Sequence, residues 1–449
     1  MNIIIVGAGR IGRNLAKTLS EENNEVYLIE PQKSVATKVA DKLDVKVIVG
    51  SGSDPEALQK ANIRSADLVL AVTTTDEVNL VVCSLAAAYG VKRKIARVRN
   101  TALRDIVREF GLDLFSVNEL INPELVAAEA IVKTIETPGA SEVGDFASGQ
   151  ILLRGFDVPE TSPLCGSRLV ELADEDFPWP FLIISIVRNQ EVIFPKGDAV
   201  VQKGDHIYVL LPRHSLAEFV NFVNPELTPP KKVIIYGATI TGKHLAQTLS
   251  QKIKNTTIIE EDPAVARDVS DALEQVTVIN GSASDAEILN ECGIEATDVF
   301  IATSKNDHSN LISSVLAKKM GAKTTIITTQ QPEYMSIIDA LAIDAIINPH
   351  YLAVEQILQM ARGRSISAVT KLLECDSEAI ELVPEKGSPI TRDALKDIKL
   401  PKNSIVGAVL QGGNVALAKG DTKINEGDKV IVFCQDTAIK KVQALFTGK

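Results

Sequence analysis

The chain has 449 residues, of which 45% are hydrophobic, 4% aromatic and 23% charged. This length exceeds the roughly 100–200 residues that one hydrophobic core usually serves, so the composition predicts several globular domains rather than a disordered chain or a coiled coil. The net charge of −11 supplies no positive field for phosphate-rich surfaces, which disfavours nucleic-acid binding.

The N-terminal segment alternates short apolar runs with amphipathic stretches. Five apolar runs predict strands: residues 3–6, 25–29, 45–49, 68–72 and 95–98. Helical patterns lie between them, and this alternation predicts a doubly wound parallel sheet with helices on both faces. Asp54, Pro55 and Glu56 predict a helix start, because they combine a capping side chain, a proline in the first turn and an acid near the helix dipole.

A glycine-rich turn follows the first predicted strand and leads into a predicted helix. Its residues are Gly7, Ala8, Gly9, Arg10, Ile11 and Gly12. In dinucleotide-binding folds the three glycines permit the tight turn, the approach of a pyrophosphate and close helix–strand packing, while the helix N-terminus offers N–H groups to the phosphates. The alternative is a turn without a ligand. Arg10 is predicted either to contact a phosphate or to form a surface ion pair.

Glu30 ends the second predicted strand, about 20 residues beyond the glycines, where a carboxylate binds the ribose hydroxyls of an adenosine. The same carboxylate would repel a 2′-phosphate, so NAD(H) is favoured over NADP(H), and only Lys33 nearby argues otherwise. The alternative interpretation is a solvated acid at the end of a strand.

Polar residues follow the fourth and fifth predicted strands, at the edge where doubly wound sheets bind ligands. Thr73 and Thr74 are placed to hydrogen-bond a ribose or a nicotinamide group. Thr75 or Asp76 is alternatively a simple helix cap. Arg97 ends the fifth strand and is predicted either to reach a phosphate or to form a surface ion pair.

The next segment has shorter strand patterns at residues 150–157, 181–187 and 206–211, separated by Gly, Pro and Asp turns. These patterns predict a small α+β module. The proline-rich residues 224–230 then form an extended spacer, which predicts the main domain boundary of the chain.

The second half of the chain repeats the first. Matching pairs of segments are residues 2–20 and 232–250, 47–51 and 278–282, 66–69 and 297–300, 121–124 and 347–350, 195–198 and 418–421, and 204–209 and 427–432. The predicted fold class is therefore α/β, with two Rossmann-type domains, each followed by a small α+β domain, as an internal duplication. The predicted domains are residues 1–136, 141–223, 231–362 and 367–449.

The second glycine turn departs from the first at its centre. Its residues are Gly237, Ala238, Thr239, Ile240, Thr241 and Gly242. Thr239 replaces the middle glycine, and its side chain is expected in the path of a pyrophosphate. Glu260 still aligns with Glu30, whereas the counterpart of Arg97 falls within residues 324–329, which contain no arginine. We expect a weaker or different nucleotide site here; the alternative is a purely structural repeat.

Catalytic motifs are missing from the sequence. It has no Tyr-x-x-x-Lys pair, Gly-x-Ser-x-Gly, His-Glu-x-x-His or P-loop. The histidines, predicted to be surface or helix residues, have no evident counterparts in the first Rossmann segment. A dehydrogenase needs a proton donor beside the nicotinamide, so the sequence predicts no enzyme and no catalytic residue.

The cysteines and the apolar stretches also limit the function. The cysteines are Cys83, Cys165, Cys292, Cys375 and Cys434. Their wide spacing predicts reduced, mostly buried thiols in a cytosolic protein and no metal site. The longest apolar stretch, residues 78–91, is shorter than the roughly 20 residues that cross a bilayer, so membrane association requires a partner.

These motifs carry a resemblance that spans essentially the whole chain. The resembling stretches are residues 1–12 with Glu30, 49–53, 71–79, 95–99, 121–124 and 405–409. Through them the chain resembles the TrkA family, the NAD-binding cytosolic subunits of Trk potassium-uptake systems. The resemblance implies two RCK (or KTN) domains, each followed by an RCK C-terminal domain.

The resemblance also implies a function. It implies a peripheral regulatory subunit on the cytoplasmic face of the inner membrane, which gates a TrkH-like potassium-conducting membrane subunit. The implied ligands are NAD(H) and, as alternatives, ATP or ADP, and the implied assembly is a ring-shaped homo-oligomer, in the expected form a homotetramer. The family's binding roles fall on Gly7, Ala8, Gly9, Arg10, Ile11, Glu30, Thr73, Thr74 and Arg97 and, in the second copy, on Gly237, Ala238, Thr239, Ile240, Thr241 and Glu260.

Two other readings of the same fold stay open. One is a soluble NAD-dependent oxidoreductase, and the other is a structural module that binds no ligand.

Overall fold

The computed structural model describes residues 1–22, 24–174, 179–189, 191–225, 229–331, 333–334, 341–361, 366–372 and 377–448. Its elements follow the predicted order of a large parallel sheet and a small antiparallel sheet, repeated once. The predicted fold class is therefore confirmed. Cys375 and residues 226–228 of the predicted spacer lie outside the described residues.

The first parallel sheet has six strands in the order β3-β2-β1-β4-β5-β6. The strands are β1 (Asn2–Val6), β2 (Glu25–Glu30), β3 (Lys46–Val49), β4 (Leu68–Ala71), β5 (Arg93–Arg97) and β6 (Glu119–Ile121). The helices are α1 (Arg10–Glu21), α2 (Lys33–Ala40), α3 (Pro55–Lys60), α4 (Asp76–Ala88), α5 (Thr101–Glu109) and α6 (Pro123–Glu136). Asp54 caps α3 as predicted, since its side chain accepts from the backbone N of Glu56 at 3.0 Å.

The first antiparallel sheet has five strands in the order β10-β9-β11-β8-β7. The elements are β7 (Ala140–Phe146), β8 (Ile151–Asp157), α7 (Leu169–Asp174), β9 (Leu182–Arg188), β10 (Glu191–Ile193), β11 (His206–Pro212) and α8 (Leu216–Val223). The predicted strands correspond to β8, β9 and β11. The prediction that the histidines are surface or helix residues is wrong for His206, which lies in strand β11 with only 4% of its surface exposed.

The second parallel sheet repeats the first, in the order β14-β13-β12-β15-β16-β17. Its strands are β12 (Lys232–Tyr236), β13 (Asn255–Glu260), β14 (Thr277–Asn280), β15 (Val299–Ala302), β16 (Thr324–Thr328) and β17 (Ala345–Ile347). Its helices are α9 (Ile240–Ser250), α10 (Pro263–Ala272), α11 (Ala286–Glu291), α12 (Asp307–Lys319) and α13 (Pro349–Ala361).

The second antiparallel sheet has the order β18-β19-β22-β20-β21, which is the same topology as the first. Its elements are β18 (Ile366–Leu372), β19 (Ser377–Leu382), β20 (Ser404–Gln411), β21 (Asn414–Leu417), β22 (Lys429–Gln435) and α14 (Ile439–Phe446).

The described residues form two compact units. The Rossmann unit joins residues 1–132 with 230–361, and the small-domain unit joins residues 133–229 with 362–449. Equivalent domains of the two repeats therefore pack together: the two Rossmann-type folds share one unit, and the two antiparallel sheets share the other.

Helix α13 belongs by sequence to the second Rossmann-type fold but packs into the core of the first. Ile357 and Ala361 of α13 are fully buried in the same cluster as Ile3 and Leu15. Arg93 of β5 adds a polar contact, because its guanidinium donates to the backbone carbonyls of Met360 and Ala361 at the C-terminus of α13. The two clefts described below consequently lie in one packed unit.

The two antiparallel sheets of the small-domain unit also share a core. Phe146, Tyr208 and Leu210 of the first sheet cluster with Ile431 and Phe433 of the second. A Cβ built on Gly407 would lie 2.2 Å from Cδ1 of Leu210, so a larger residue at this position would displace the Leu210 side chain.

Most of the described cysteines are free, buried thiols, as predicted. Cys83 and Cys292 are free and buried, and burial raises the pKa of Cys83 to about 12 and that of Cys292 to about 11. Among the described residues, no helix combines the length and the apolar character needed to cross a membrane.

Candidate functional site

The first cleft lies where the strand order reverses, between the carboxyl ends of β1 and β4. Doubly wound sheets bind ligands at this switch point. Gly7 follows β1, and a Cβ built on it would lie 3.0 Å from Cα of Thr73, which follows β4. The glycine turn and the threonine loop therefore pack side by side at this switch point.

The glycines of the first turn have different steric roles. Gly7 has φ +104°, a conformation that favours glycine, and a Cβ on Gly12 would lie 1.8 Å from the carbonyl oxygen of Gly7. Gly9 is different, because a Cβ built there meets no protein atom within 4 Å. Gly9 is the N-cap of α1 and offers no capping side chain, so the first N–H groups of the helix remain for solvent or a ligand.

Glu30 is held at the cleft by two backbone groups. Its Oε2 accepts from the N of Ala8 at 2.9 Å, and its Oε1 accepts from the N of Gln32 at 2.9 Å. The residue is only 9% exposed, so the alternative of a solvated acid at a strand end is wrong. The carboxylate is fixed beside the glycine turn, at the position that contacts an adenosine ribose in Rossmann-type folds.

Asn79 of α4 organises the threonine loop. This fully buried amide accepts from the N of Thr73 at 2.9 Å and donates to the carbonyls of Thr73 at 3.1 Å and of Arg97 at 2.8 Å. The hydroxyl of Thr73 donates to Oδ1 of Asn79 at 2.7 Å, so its donor is used inside the loop, whereas Thr74 is exposed. Between these two predicted contacts, Thr74 has the freer side chain.

The residues that begin α4 do not cap it through their side chains. Thr75 is the N-cap residue, and its side chain makes no capping bond. Asp76 instead accepts at Oδ2 from the backbone N of Arg99 at 2.9 Å and of Asn100 at 2.8 Å. Thr75 therefore occupies the N-cap position without a side-chain capping bond, and Asp76 does not cap α4 but fixes the segment that follows β5.

Arg97 is buried at the carboxyl end of β5. Only 5% of it is exposed, so the alternative of a surface ion pair is wrong. Its Nη1 donates to the carbonyl of Thr73 at 3.1 Å, while its Nε has no hydrogen-bond partner among the described residues. Burial lowers the pKa of Arg97, and the Glu124 carboxylate opposes that shift. An unpaired guanidinium donor at this edge fits an anionic ligand group.

Three other predicted contacts have restricted roles. Arg10 points to the second Rossmann-type fold, where its Nη1 donates to the carbonyl of Gln330 at 2.8 Å. Ile11 buries its side chain in the core, and the N–H of Ala8 is taken by Glu30. Part of the Arg10 guanidinium, the Ile11 side chain and the Ala8 N–H are thus engaged within the protein.

The second cleft lies at the equivalent switch point, between the carboxyl ends of β12 and β15. Gly237 has φ +97°, and a Cβ on Gly242 would lie 1.9 Å from the carbonyl oxygen of Gly237. Glu260 accepts from the N of Ala238 at 2.6 Å and from the N of Asp262 at 2.9 Å. The turn and the carboxylate of the first cleft are thus reproduced.

Thr239 gives the second turn a different helix start. Its Oγ1 accepts from the N of Gly242 at 3.2 Å and donates to the carbonyl of Thr303 at 3.0 Å. Helix α9 is therefore capped by the protein's own side chain. Thr241 lines the same cleft but is 4% exposed, and its hydroxyl donates to the main-chain carbonyl of Glu124 at 3.1 Å.

A cavity of about 630 Å³ opens at the second cleft. Ile240 and Glu260 line it from the second fold, and Arg99 and Glu124 line it from the first. Nε of Arg99 lies 2.7 Å from Oε1 of Glu124, so an ion pair of one fold forms part of the wall of the other fold's cleft.

Sequence reasoning missed the polar residues that shape both loops. Asn310 repeats the bonds of Asn79: it accepts from the N of Ser304 at 2.9 Å and donates to the carbonyls of Ser304 and Thr328, each at 3.0 Å. Asp307 likewise repeats Asp76, because it accepts from the N of Gln330 at 3.1 Å. The usable signal was an identical polar residue at the same place in both repeats.

Together these features define a protein with two folds of the Rossmann dinucleotide-binding class, joined to two small antiparallel domains. The TrkA-N domain family model matches residues 3–123 and 233–349, and the TrkA-C domain model matches residues 153–224 and 379–447. The Trk system potassium uptake protein TrkA of Azorhizobium caulinodans is 31% identical, over 99% of this chain and 98% of its own length. The TrkA of Halomonas elongata is 32% identical over the same shares. The chain belongs to the TrkA family, as the resemblance implied.

Solved structures agree on the fold. The GsuK channel bound to NAD has a TM-score of 0.63 and 15% sequence identity, over 99% of this chain and 78% of that one. The crystal structure of the GsuK RCK domain has a TM-score of 0.61 at 15% identity, over 99% of this chain and 94% of that one. At this identity the comparison supports the tandem RCK fold alone.

Proposed function

We propose that the chain is the peripheral regulatory subunit of a Trk-type potassium-uptake system, and that NAD(H) in the first cleft is its signal. The observation that carries the proposal is the uncapped start of α1 at Gly9, next to the threonine loop that Arg97 contacts with a buried guanidinium whose Nε is unpaired. An anionic diphosphate satisfies both kinds of donor at once.

The binding mode follows from the contacts of the first cleft. The first-turn N–H groups of α1 bind the pyrophosphate, which Gly9 allows to approach, and Glu30 binds the adenosine ribose. Arg97 supports a phosphate, and Thr74 with the loop of Thr73 faces the rest of the ligand. ATP and ADP share the adenosine diphosphate portion of NAD(H), so the same residues serve these alternative ligands.

The second cleft is proposed as a separate nucleotide site of different selectivity. Its proposed contacts are Gly237, Ala238, Thr239, Ile240, Thr241 and Glu260. Glu260 and the turn at Gly237 support this role, because they keep the geometry of their counterparts in the first cleft.

Regulation without catalysis requires that the ligand binds one arrangement of the Rossmann-type folds better than another. A tenfold preference is worth about 1.4 kcal/mol per site. In a homotetrameric ring, four such sites supply about 5.6 kcal/mol, close to the roughly 5.5 kcal/mol that moves a gate from 1:99 to 99:1. Modest selectivity at each site is therefore enough to control a channel.

The partner in this proposal is a TrkH-like potassium-conducting membrane subunit at the cytoplasmic face of the inner membrane. The names of the TrkA relatives support this context. The proposal keeps the four predicted domains, residues 1–136, 141–223, 231–362 and 367–449, and assigns no catalytic residue to any of them.

Calorimetry on the purified chain tests the ligand. We expect NAD(H) to bind the wild type and Gly9→Asp to abolish binding in the first cleft, because the new carboxylate stands where the pyrophosphate approaches. Gly9 has φ −65° and its Cβ position is open, so the variant is expected to fold. Gly9→Ala is the matched control without charge, and a Gly9→Asp variant that binds NAD(H) like the wild type refutes this binding mode.

A second set of outcomes tests the function. Co-purification of a potassium-conducting membrane protein with the chain supports the proposal. If the purified chain binds no adenine nucleotide, the proposal is wrong. Catalytic change of nicotinamide absorbance with a metabolite supports the oxidoreductase alternative instead.

A further inference from the structure

We infer that the second cleft binds a ribonucleoside with no more than one phosphate and rejects dinucleotides. The inference rests on the proposed function in one respect, that the Rossmann-type folds of this chain are ligand-binding sensors. The second cleft then binds a different metabolite from the first, so one chain responds to two kinds of nucleotide ligand.

The first step is the helix cap. In the first cleft the Cβ position at residue 9 is open, whereas Thr239 fills the equivalent position of the second cleft with a side chain. Its hydroxyl is fixed by the N of Gly242 and the carbonyl of Thr303, so it stays over the start of α9. A pyrophosphate would have to displace this hydroxyl and compete for an N–H group that is already satisfied.

The second step is the loss of the buried cation. Asn79 donates to the carbonyl of Arg97, and Asn310 donates in the same way to the carbonyl of Thr328. Thr328 therefore stands in the place of Arg97, and its own hydroxyl donates to the carbonyl of Ala302 at 3.3 Å. The second cleft has no guanidinium at the position that supports a phosphate in the first.

The third step is the charge of the cavity wall. The basic residues that line the cavity are Arg99, Lys243 and Lys305, and the acidic residues are Glu124, Glu260, Glu261, Asp262 and Asp307. Arg99 is also committed to the ion pair with Glu124. This excess of acidic groups opposes a ligand with several phosphates but tolerates one that is neutral or carries a single phosphate.

The ribose part of the site is retained. Glu260 is held by the N–H groups of Ala238 and Asp262, as Glu30 is held by those of Ala8 and Gln32. A carboxylate in this place binds ribose hydroxyls, and the cavity of about 630 Å³ leaves room for a nucleoside. Selection therefore occurs at the phosphate end of the ligand and not at the ribose.

The test uses the full chain with the first cleft blocked by Gly9→Asp. Calorimetric titrations with AMP, adenosine and NAD then report the second cleft. We expect AMP or adenosine to bind and NAD to bind at least tenfold more weakly. Adding Thr239→Gly is expected to raise the affinity for NAD at least tenfold and to change that for AMP less than threefold, whereas Thr239→Ser keeps the discrimination because it keeps the hydroxyl.

Two results would overturn the inference. One is equal affinity of NAD and AMP for the Gly9→Asp chain, and the other is no binding of any of the three probes to it. Glu260→Gln added to Gly9→Asp is expected to abolish the AMP signal, and a signal that persists places AMP elsewhere and also overturns the inference.

A failure of the proposed function can be distinguished from a failure of this inference. Glu260→Gln alone leaves the first cleft intact, so a loss of NAD(H) binding in that single variant argues against the proposed first site and not against the second. Circular dichroism of each variant confirms that a missing signal reflects the site and not unfolding.

Discussion

The two clefts of the Rossmann unit have the same backbone frame but different chemistry. Both have a left-handed glycine after the first strand, a glycine packed against that turn and a carboxylate held by two N–H groups. They differ at the positions where we propose that phosphates bind: Gly9 and Arg97 in the first cleft are replaced by Thr239 and Thr328 in the second. The comparison separates the residues that both clefts share, which maintain the fold, from the divergent residues to which we assign ligand selectivity.

The polar loop network belongs to the fold part of this comparison. Asn79 and Asn310 make equivalent bonds, and Asp76 and Asp307 both fix the segment after the fifth strand of their sheet. A repeat under selection for structure keeps such bonds even where its ligand changes. Substitutions at the shared residues should lower the stability of the fold, whereas substitutions at the divergent residues should change ligand affinity.

The largest effect is expected from the packed glycine. Gly12→Ala places a Cβ 1.8 Å from the carbonyl oxygen of Gly7, which the turn cannot avoid without moving. We expect it to lower the free energy of unfolding by about 4 kcal/mol, measured by urea denaturation. Gly9→Ala is the matched control and should change it by no more than about 1 kcal/mol, the cost of alanine in place of glycine at a helix N-cap. Equal effects of the two substitutions would contradict the steric roles assigned here.

The buried amides should be equally important in both repeats. Asn79→Ala and Asn310→Ala each leave backbone groups of a buried loop without partners. We expect each to lower the free energy of unfolding by about 3 kcal/mol, by the same measurement. Ser84→Ala on the same helix as Asn79 serves as a control of smaller effect. A large cost at only one of the two asparagines would break the proposed equivalence of the loops.

Arg97 should separate phosphate binding from ribose binding. Arg97→Met removes the buried guanidinium but keeps an apolar side chain of similar length. We expect the affinity for NAD(H) to fall about 30-fold, or about 2 kcal/mol, while that for adenosine changes less than about threefold. Calorimetry with both ligands measures this ratio in a chain whose second cleft is blocked by Glu260→Gln, so that adenosine reports the first cleft alone. A parallel loss of both affinities would mean that Arg97 only supports the loop of Thr73.

The smallest effect concerns His350 at the start of α13. Burial lowers its pKa below the ordinary 6.5, the nearby charges of Arg97, Arg10 and Arg99 lower it further, and Glu124 opposes them. Its Nδ1 is buried without a hydrogen-bond partner among the described residues. Because the unfolded chain binds the proton more readily, the free energy of unfolding should fall as the pH drops below about 6.5.

Urea denaturation at pH 7.5 and at pH 5.5 checks this sign. His350→Gln should reduce the difference between the two values, since glutamine does not titrate. An unchanged difference in the variant would assign the pH dependence to other groups.

The sequence was sufficient to predict the elements and the frame of the clefts. Short apolar runs marked the strands and helical patterns marked the helices, because central strands are buried on both faces and helices on one. The glycine turn and Glu30 were predictable because their spacing in the chain reflects local geometry. Strands β6, β7 and β10 were not predicted, since β6 and β10 have only three residues each and most residues of β7 are polar or small.

Contacts between distant segments account for what the sequence did not reveal. The burial of Arg97, the direction of Arg10 and the packing of α13 on the first fold depend on residues that lie far apart in the chain. Thr239 was expected to obstruct a pyrophosphate, but its role as the cap of α9 required the position of Gly242 and Thr303. Local patterns contain no information on such pairings.

Potassium flux is the most direct test of the central claim that NAD(H) in the first cleft controls a membrane partner. The measurement uses proteoliposomes that contain the co-purified membrane subunit and the full chain, with and without NAD or NADH. We expect the flux to change with nucleotide when the wild-type chain is bound and to stay constant with Gly9→Asp, while Gly9→Ala retains the response. An identical nucleotide response with Gly9→Asp, or no response with the wild type, would contradict the account.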